Sequence, residues 1–522
     1  MPAIISDQFR LMNAETFVKS FVSVGNTANN YYTFIGQPNS SNVQANGTLD
    51  WSTNVPPPLD GFKEEYEIKE TILSLKKVTN DDVRRVVRKL TWKSGEVYEM
   101  YRNDYSIYNL TPNTNASSLY ESNFYVINED FRVYICLQNG TDPENLKGRP
   151  SVDQPTFVDL EPRAAGTSGD GYIWKYLYTI KPYDIVKFDS IEFIPVPESW
   201  GVEGTESFSV KNNAIDGSIQ TVTIKNRGTN YQPISKSFAN IPILGDGEGG
   251  KVTVTIDSFG KVSEIFVTDG GINYTRGIIK FEPGAPGIPS ELTNNGTIAQ
   301  FDVIIPPKGG HGFNVYNELG AYRVLVYSRY KTDESNPDII VGNDFSRVGI
   351  LKNPQKIGGD LLTDSEVSAL KSLKLTGAAT TLTTYAVDSI ITQTVSTGNT
   401  AIGFVASWDN ITGVVKYYQP VGLATGRVNY KINDFTSSPG TGGSLLISGD
   451  TVSGTPLSID SSFNGSSTVI NNRTYQLGSN FISGISSSEY DNRSGEIIYI
   501  DNRQPIPRSK SQKEDIKIVL EF

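Results

Sequence analysis

Gly169-Asp-Gly-Tyr-Ile-Trp-Lys-Tyr-Leu-Tyr-Thr-Ile180 decides the fold class. Tyr172, Trp174, Tyr176 and Tyr178 recur at every second position, while Ile173 and Leu177 occupy the alternate ones. Side chains of an extended strand alternate between faces, so this stretch reads as a strand behind a tight turn, covered on at least one side. Ser494-Gly-Glu-Ile-Ile-Tyr-Ile-Asp-Asn-Arg-Gln-Pro505 has the same turn-then-strand form and runs on to Ile516-Lys-Ile-Val-Leu-Glu-Phe522. Between them lie short apolar runs separated by Asn/Ser/Thr clusters, in a chain with 48 Gly and 27 Pro. Helical periodicity is nearly absent. The expectation is a mainly β protein, an antiparallel β-sandwich core with a few short helices.

Working outward, one helix is expected from Ala14 to Val24, capped by Asn13, striped by Phe17, Val18, Phe21 and Val22, and stopped by Gly25. A second amphipathic stretch runs from Phe62 to Val78. Strands are expected at Asn30–Ile35, Val86–Trp92, Phe124–Asn128 and Phe131–Leu137. Phe193-Ile-Pro-Val-Pro197 is extended, and its two prolines favour a sheet edge.

Past Trp200 the sequence repeats itself. Ile215–Pro233 aligns without a gap on Ser258–Arg276, so that Gly217, Gly228, Asn230 and Tyr231 match Gly260, Gly271, Asn273 and Tyr274. Each copy is a turn, an alternating strand and a Gly-x-Asn-Tyr bend, with Lys251–Ile256 and Gln300–Ile305 as the next strands. Two copies sharing a core that neither closes alone make an inserted β domain. A second excursion is rich in Ser, Thr and Gly, and Ala401–Trp408 with Val414–Tyr418 reads as a hairpin. The expected organisation is core 1–204, inserted repeat domain 205–307, core 308–375, second inserted β domain 376–487 and core 488–522.

Composition narrows the chemistry. Net charge is −11, from 57 acidic and 46 basic residues, which disfavours nucleic acid as a main partner. The run Arg84-Arg-Val-Val-Arg-Lys89 interleaves cations with valines, as in a strand with one buried face. The lone Cys136 excludes an intrachain disulfide and reads as a small buried hydrophobe. The lone His311 sits among glycines with no nucleophile motif nearby, so it reads as a loop residue rather than a base. No His or Cys pair has metal-ligand spacing, and Gly245-Asp-Gly-Glu-Gly-Gly250 reads as a turn rather than a calcium or phosphate loop. No catalytic residue, cofactor or metal is expected, and no run approaches bilayer-spanning length.

Several of these motifs resemble one family. Trp92, Gly95 and Tyr98 head a Trp-x-x-Gly-x-x-Tyr-x-x-Tyr series; Gly169, Asp170, Gly171, Tyr172 and Trp174 open the aromatic strand; Gly495, Tyr499, Asn502 and Arg503 mark the last one. In this order, with Lys308-Gly-Gly-His-Gly312 and the strand ending Gly349-Ile-Leu-Lys-Asn-Pro354, they resemble the baseplate wedge subunit of T-even-like contractile-tail phages, the gene product 8 family. The two excursions are similar to the enlarged cyanophage forms. The resemblance implies a non-enzymatic virion protein of the tail baseplate, assembled in the host cytoplasm. It further implies partners of the gene product 10, 7, 6 and 53 types, and a second copy of itself. The alternative is a carbohydrate- or receptor-binding tail protein acting through the insertions, with Tyr231, Tyr274, Trp408 and Tyr417 as exposed aromatics.

Overall fold

The computed structural model describes residues 5–21, 29–37, 51–59, 61–106, 116, 118–331, 340, 343–377, 382–419, 433–509 and 512–522. Strand outweighs helix, 42% to 10%, so the chain is mainly β, and every ladder described below is antiparallel. It divides into two compact units. The first comprises Met1–Val18, Arg84–Leu325 and Val519–Phe522; the second comprises Lys19–Val83 and Val326–Ile518. The segments 1–204, 308–375 and 488–522 are therefore each shared between the units, while 205–307 lies within the first and 376–487 within the second.

In the first unit Tyr172–Thr179 pairs with Arg132–Asn139, which in turn pairs with Tyr125–Ile127. Tyr172, Trp174, Tyr176 and Tyr178 are all buried, and so are Lys175 and Leu177 on the alternate positions. Both faces are covered, which the aromatic alternation alone did not reveal. Lys175 meets the cost of burial by donating to Leu160 O at 2.7 Å, and its ammonium pKa is lowered by that burial. Phe193–Pro195 pairs with Val83–Arg88 and ends its sheet, as expected of a strand whose prolines lack a donor.

The repeat has a core of its own, built from Ile219, Val222, Tyr231, Val254, Tyr274 and Phe281 among others. Its copies are interlocked. Lys251–Ile256, which follows the first copy in sequence, pairs with Val262–Asp269 of the second copy. Gln300–Ile304, which follows the second copy, pairs with Thr221–Asn226 of the first. The turns cross over as well: Tyr231 N donates to Gly260 O at 3.0 Å, and Asn273 N to Asp216 O at 2.8 Å. Each Gly turn thus holds the Asn-Tyr bend of the other copy.

In the second unit a five-stranded sheet runs in the order Glu366–Ser368, Ile72–Val78, Tyr31–Gly36, Asp344–Lys352, Glu496–Pro507. Strands from early and late in the chain are direct neighbours here, with Val348 opposite Ile35 and Asp501. One face buries Tyr32, Phe34, Leu75 and Leu351 with Ile68; the other buries Ile35, Leu73 and Val348 with Tyr330 and Phe404. The second excursion forms most of a seven-stranded sheet over a core that includes Leu373, Tyr385, Val405 and Tyr417. Its expected hairpin pairs Asn399–Asp409 with Val414–Tyr418, and Gly413, at φ +71°, closes the turn by donating to Asp409 O at 2.8 Å.

The first helix and the amphipathic Phe62–Val78 stretch differ from their sequence reading. The first helix spans Asp7–Ser20, with Ser6 as its N-terminal acceptor (Phe9 N to Ser6 Oγ, 3.3 Å), so Asn13 lies inside it rather than capping it. Acidic Asp7 in the first turn suits the positive helix end. Val24 and Gly25, its expected end, lie outside the described residues. Phe62–Val78 is not one element: a helix over Phe62–Glu70 stops at Thr71, whose hydroxyl donates to Ile68 O at 3.1 Å, and Ile72–Val78 continues as a strand. Among the described residues no helix is long and apolar enough to cross a membrane.

Candidate functional site

Eight of the twelve motif residues converge in the first unit. A turn at Lys93–Glu96, with Gly95 at φ +86°, brings Tyr98 back so that its OH accepts from Lys93 N at 2.6 Å. Trp92 Nε1 donates to Ser151 Oγ at 3.0 Å, and Gly95 N to Ser151 O at 2.7 Å. The Tyr172 phenol bridges two segments, accepting from Tyr98 N at 2.9 Å and donating to Arg149 O at 2.7 Å. Tyr172 and Trp174 stack at 5.4 Å, with Tyr98 edge-on to both. Asp170 accepts from Tyr172 N at 3.0 Å and Val152 N at 2.9 Å. Gly169 and Gly171 both have positive φ, and a Cβ on Gly171 would lie 2.7 Å from Gly140 Cα. The cluster is a knot tying 92–98, 139–152 and 169–174 together. Replacing Tyr172 by Phe leaves a buried donor and acceptor without their partner and is expected to cost about 2 kcal/mol, read by denaturant unfolding; a loss below the error of that measurement refutes the bridging role.

The other four lie in the second unit, at the Glu496–Pro507 strand. Gly495, at φ +78°, offers its carbonyl to Lys69 Nζ at 2.7 Å. Tyr499 pairs with Ile350 across the ladder, and burial raises its phenol pKa. Asn502 accepts from Arg347 Nε at 2.9 Å and donates to Pro56 O at 3.0 Å. Burial pulls the Arg347 guanidinium down to about 10. Arg503 is exposed and pairs with its near neighbour Asp501 at 2.7 Å. Gly495, Tyr499 and Asn502, too, join chain segments.

The chemically suggestive residues are absorbed in the same way. His311 is buried, with Nδ1 2.6 Å from Glu318 Oε1, while Glu318 Oε2 accepts from Gly312 N at 2.7 Å. Tyr101 lies edge-on to the imidazole at 4.6 Å, and burial raises its phenol pKa, with Glu318 adding to the effect. Sequence reading missed Glu318, which no local motif links to His311. Burial likewise pushes the Cys136 thiol up and keeps it inert. In the Gly-rich loop the glycines make room for the Tyr274 ring: a Cβ on Gly247 would come within 2.5 Å of it. Asp246 there is held below the usual carboxylate range by the Thr275 hydroxyl and backbone. Among the described residues no group of three or more His, Cys, Asp or Glu is arranged to hold a metal ion.

The basic run is consumed internally. Arg84 pairs with Asp184 at 3.1 Å and Glu198 at 3.0 Å, Arg85 stacks on Tyr316, Arg88 donates to Tyr120 O and Ser122 O, and Lys89 pairs with Asp189 at 2.8 Å. Arg84→Ala leaves Asp184 buried without its cation and is expected to cost about 3 kcal/mol. Burial already raises the Asp184 pKa. As pH falls the carboxyl takes up a proton and the deficit shrinks; a deficit independent of pH contradicts the assignment.

The aromatics nominated for sugar binding are not exposed. Tyr231, Tyr274 and Tyr417 are buried, and Trp408 packs edge-on against Tyr385 at 5.0 Å. Tyr231 OH joins Phe281 O and Ala299 N, as Tyr274 OH joins Ile243 O and Gly250 N, so both are pillars of the repeat core. No protein-family model and no curated protein matches the chain.

Proposed function

We propose that this chain is a structural, non-enzymatic subunit of a phage tail baseplate wedge, joining peripheral wedge proteins to the inner ring and taking part in assembly and contraction. One observation carries this reading: all but Arg503 of the twelve motif residues belong to ties between separate chain segments, from the 92–174 knot to the Arg347–Asn502 link. A scaffold gripped by neighbours needs such internal ties, because rigid bodies transmit rearrangement to their interfaces. The engagement of His311, Cys136 and the 84–89 cations in packing also suits a protein without turnover. A receptor-binding role for the insertions loses most of its aromatic platform, since Tyr231, Tyr274 and Tyr417 are buried and Trp408 is half-buried against Tyr385.

Co-expression with wedge proteins of the gene product 10, 7, 6 and 53 types tests the proposal. A stable complex that copurifies, and the chain's presence in purified tails, is the expected result. Failure to join any of them, or a measured turnover of substrate, overturns it.

A further inference from the structure

A cleft of about 300 Å³ opens in the second unit and is walled by Lys76, Lys77, Arg329, Lys331 and Lys513, with Asp82 the one acidic residue on its lining. So dense a gathering of cations runs against the chain's net charge of −11. Two of the five are committed: Lys76 to Glu366, and Arg329 to Asp515 through two bonds of 2.6 and 2.8 Å. Among the described residues Lys77 Nζ donates only to Thr363 O, at 3.3 Å, and no carboxylate pairs with it, Lys331 or Lys513. Lys331 and Lys513 are exposed at the cleft. Like charges held around one concavity repel each other, and an anion placed between them relieves that repulsion. The low-dielectric walls focus the field into the opening.

The chemistry of the walls selects the anion. The one guanidinium on the lining has its fork occupied by Asp515, so an incoming anion meets single-point ammonium contacts rather than a bidentate grip. The Asp82 carboxylate interrupts the positive stripe that a nucleic-acid backbone would need. What is left is three separate ammonium point charges over a space that fits a few residues, suited to carboxylates spaced along a peptide. We propose that this cleft docks a short acidic peptide segment of a partner protein. The inference rests on the cleft alone and stands apart from the wedge reading.

The test uses the full chain and fluorescein-labelled hexaglutamate, followed by fluorescence anisotropy in low salt, with hexaglutamine and a single-stranded oligonucleotide as comparators. Saturable binding of hexaglutamate is expected, weakening as salt screens the charges. Lys331→Glu with Lys513→Glu should weaken it about tenfold, since each exposed pair is worth a few tenths to 1 kcal/mol and reversal adds repulsion. The neutral pair Lys331→Gln with Lys513→Gln should weaken it about threefold by the same reasoning. Both variants alter exposed side chains, and circular dichroism checks that each stays folded. Exposed Lys280→Glu, outside the cleft, should leave binding unchanged. Absence of saturation, an equal loss in Lys280→Glu, or tighter binding of the oligonucleotide than of hexaglutamate overturns the proposal.

Discussion

Raising the pH above about 10 should unfold this protein cooperatively, with phenolate absorbance and loss of the far-ultraviolet circular dichroism signal rising together. Six tyrosines drive this transition: Tyr125, Tyr178, Tyr330, Tyr417, Tyr418 and Tyr490. Each has its phenol pKa raised above the ordinary value, with burial the largest cause. Local partners adjust the shift without reversing it. The Arg88 and Arg323 charges pull Tyr125 down, whereas Asp388 pushes Tyr418 further up. The sign follows directly. Below pH 10 these phenols are neutral in both the folded and unfolded chain, and their contribution is complete. Above it the unfolded chain loses protons that the folded chain retains, so stability falls as pH rises. Each such tyrosine removes about 1.4 kcal/mol per pH unit. Four of the six lie in the second unit, which makes its loss about 5.6 kcal/mol per pH unit, comparable with the whole stability of a domain. A gradual phenolate titration centred near pH 10 while the circular dichroism signal persists would falsify the burial assigned to these rings.

How much of this was legible in the sequence depends on whether the decisive contact is local. The Tyr172–Tyr178 alternation, the Ala401–Tyr418 hairpin and the edge role of Phe193–Pro195 could be read because period two, a Gly-containing turn and missing proline donors are properties of a few neighbouring residues. The first helix was misplaced at its start because Asn13 and Ser6 are both competent caps, and only the packing of Leu11 and Ala14 in one helix decides between them. Phe62–Val78 misled because a helical stripe and a strand were joined at Thr71 without a Gly or Pro to mark the change. The repeat was visible as a period, but its strand exchange was not, since Lys251–Ile256 satisfies the alternation equally well with either copy. Burial of Tyr231, Tyr274 and Tyr417 was missed for a related reason. A tyrosine in a polar, Gly-rich stretch has the same local context on a surface as in a core that glycines open for its ring. The His311–Glu318 pair needed the fold to join two residues with no shared motif.

Gly217→Val should destabilise the first unit by about 4 kcal/mol or more, a loss large enough to need a backbone mechanism. Gly217 has φ +64°, a region that costs an ordinary residue about 1–2 kcal/mol and a β-branched one at least that. Space is the larger obstacle. A Cβ there would lie 2.2 Å from Tyr274 N and 2.6 Å from Asn273 C, both backbone atoms, so no rotamer change relieves the overlap. The displaced segment is the one that seats Tyr274, whose OH donates to Ile243 O at 2.8 Å and accepts from Gly250 N at 3.1 Å. The matching residue, Gly260 at φ +71°, lies against the other copy, with a Cβ 2.9 Å from Tyr231 O, so Gly260→Val should act in the same direction but less strongly. Gly284 separates strain from collision. It also has positive φ, +81°, but a Cβ there meets nothing within 4 Å, so Gly284→Val should show the conformational cost alone. Denaturant unfolding gives the three losses, and hydrogen exchange at the amides of 219–305 shows whether the repeat loosens as a body. Interlocked copies require the order Gly217, Gly260, Gly284, with protection lost in both copies at once. Loosening confined to the mutated copy would mean that each repeat closes its own core and that the exchange of strands holds nothing together.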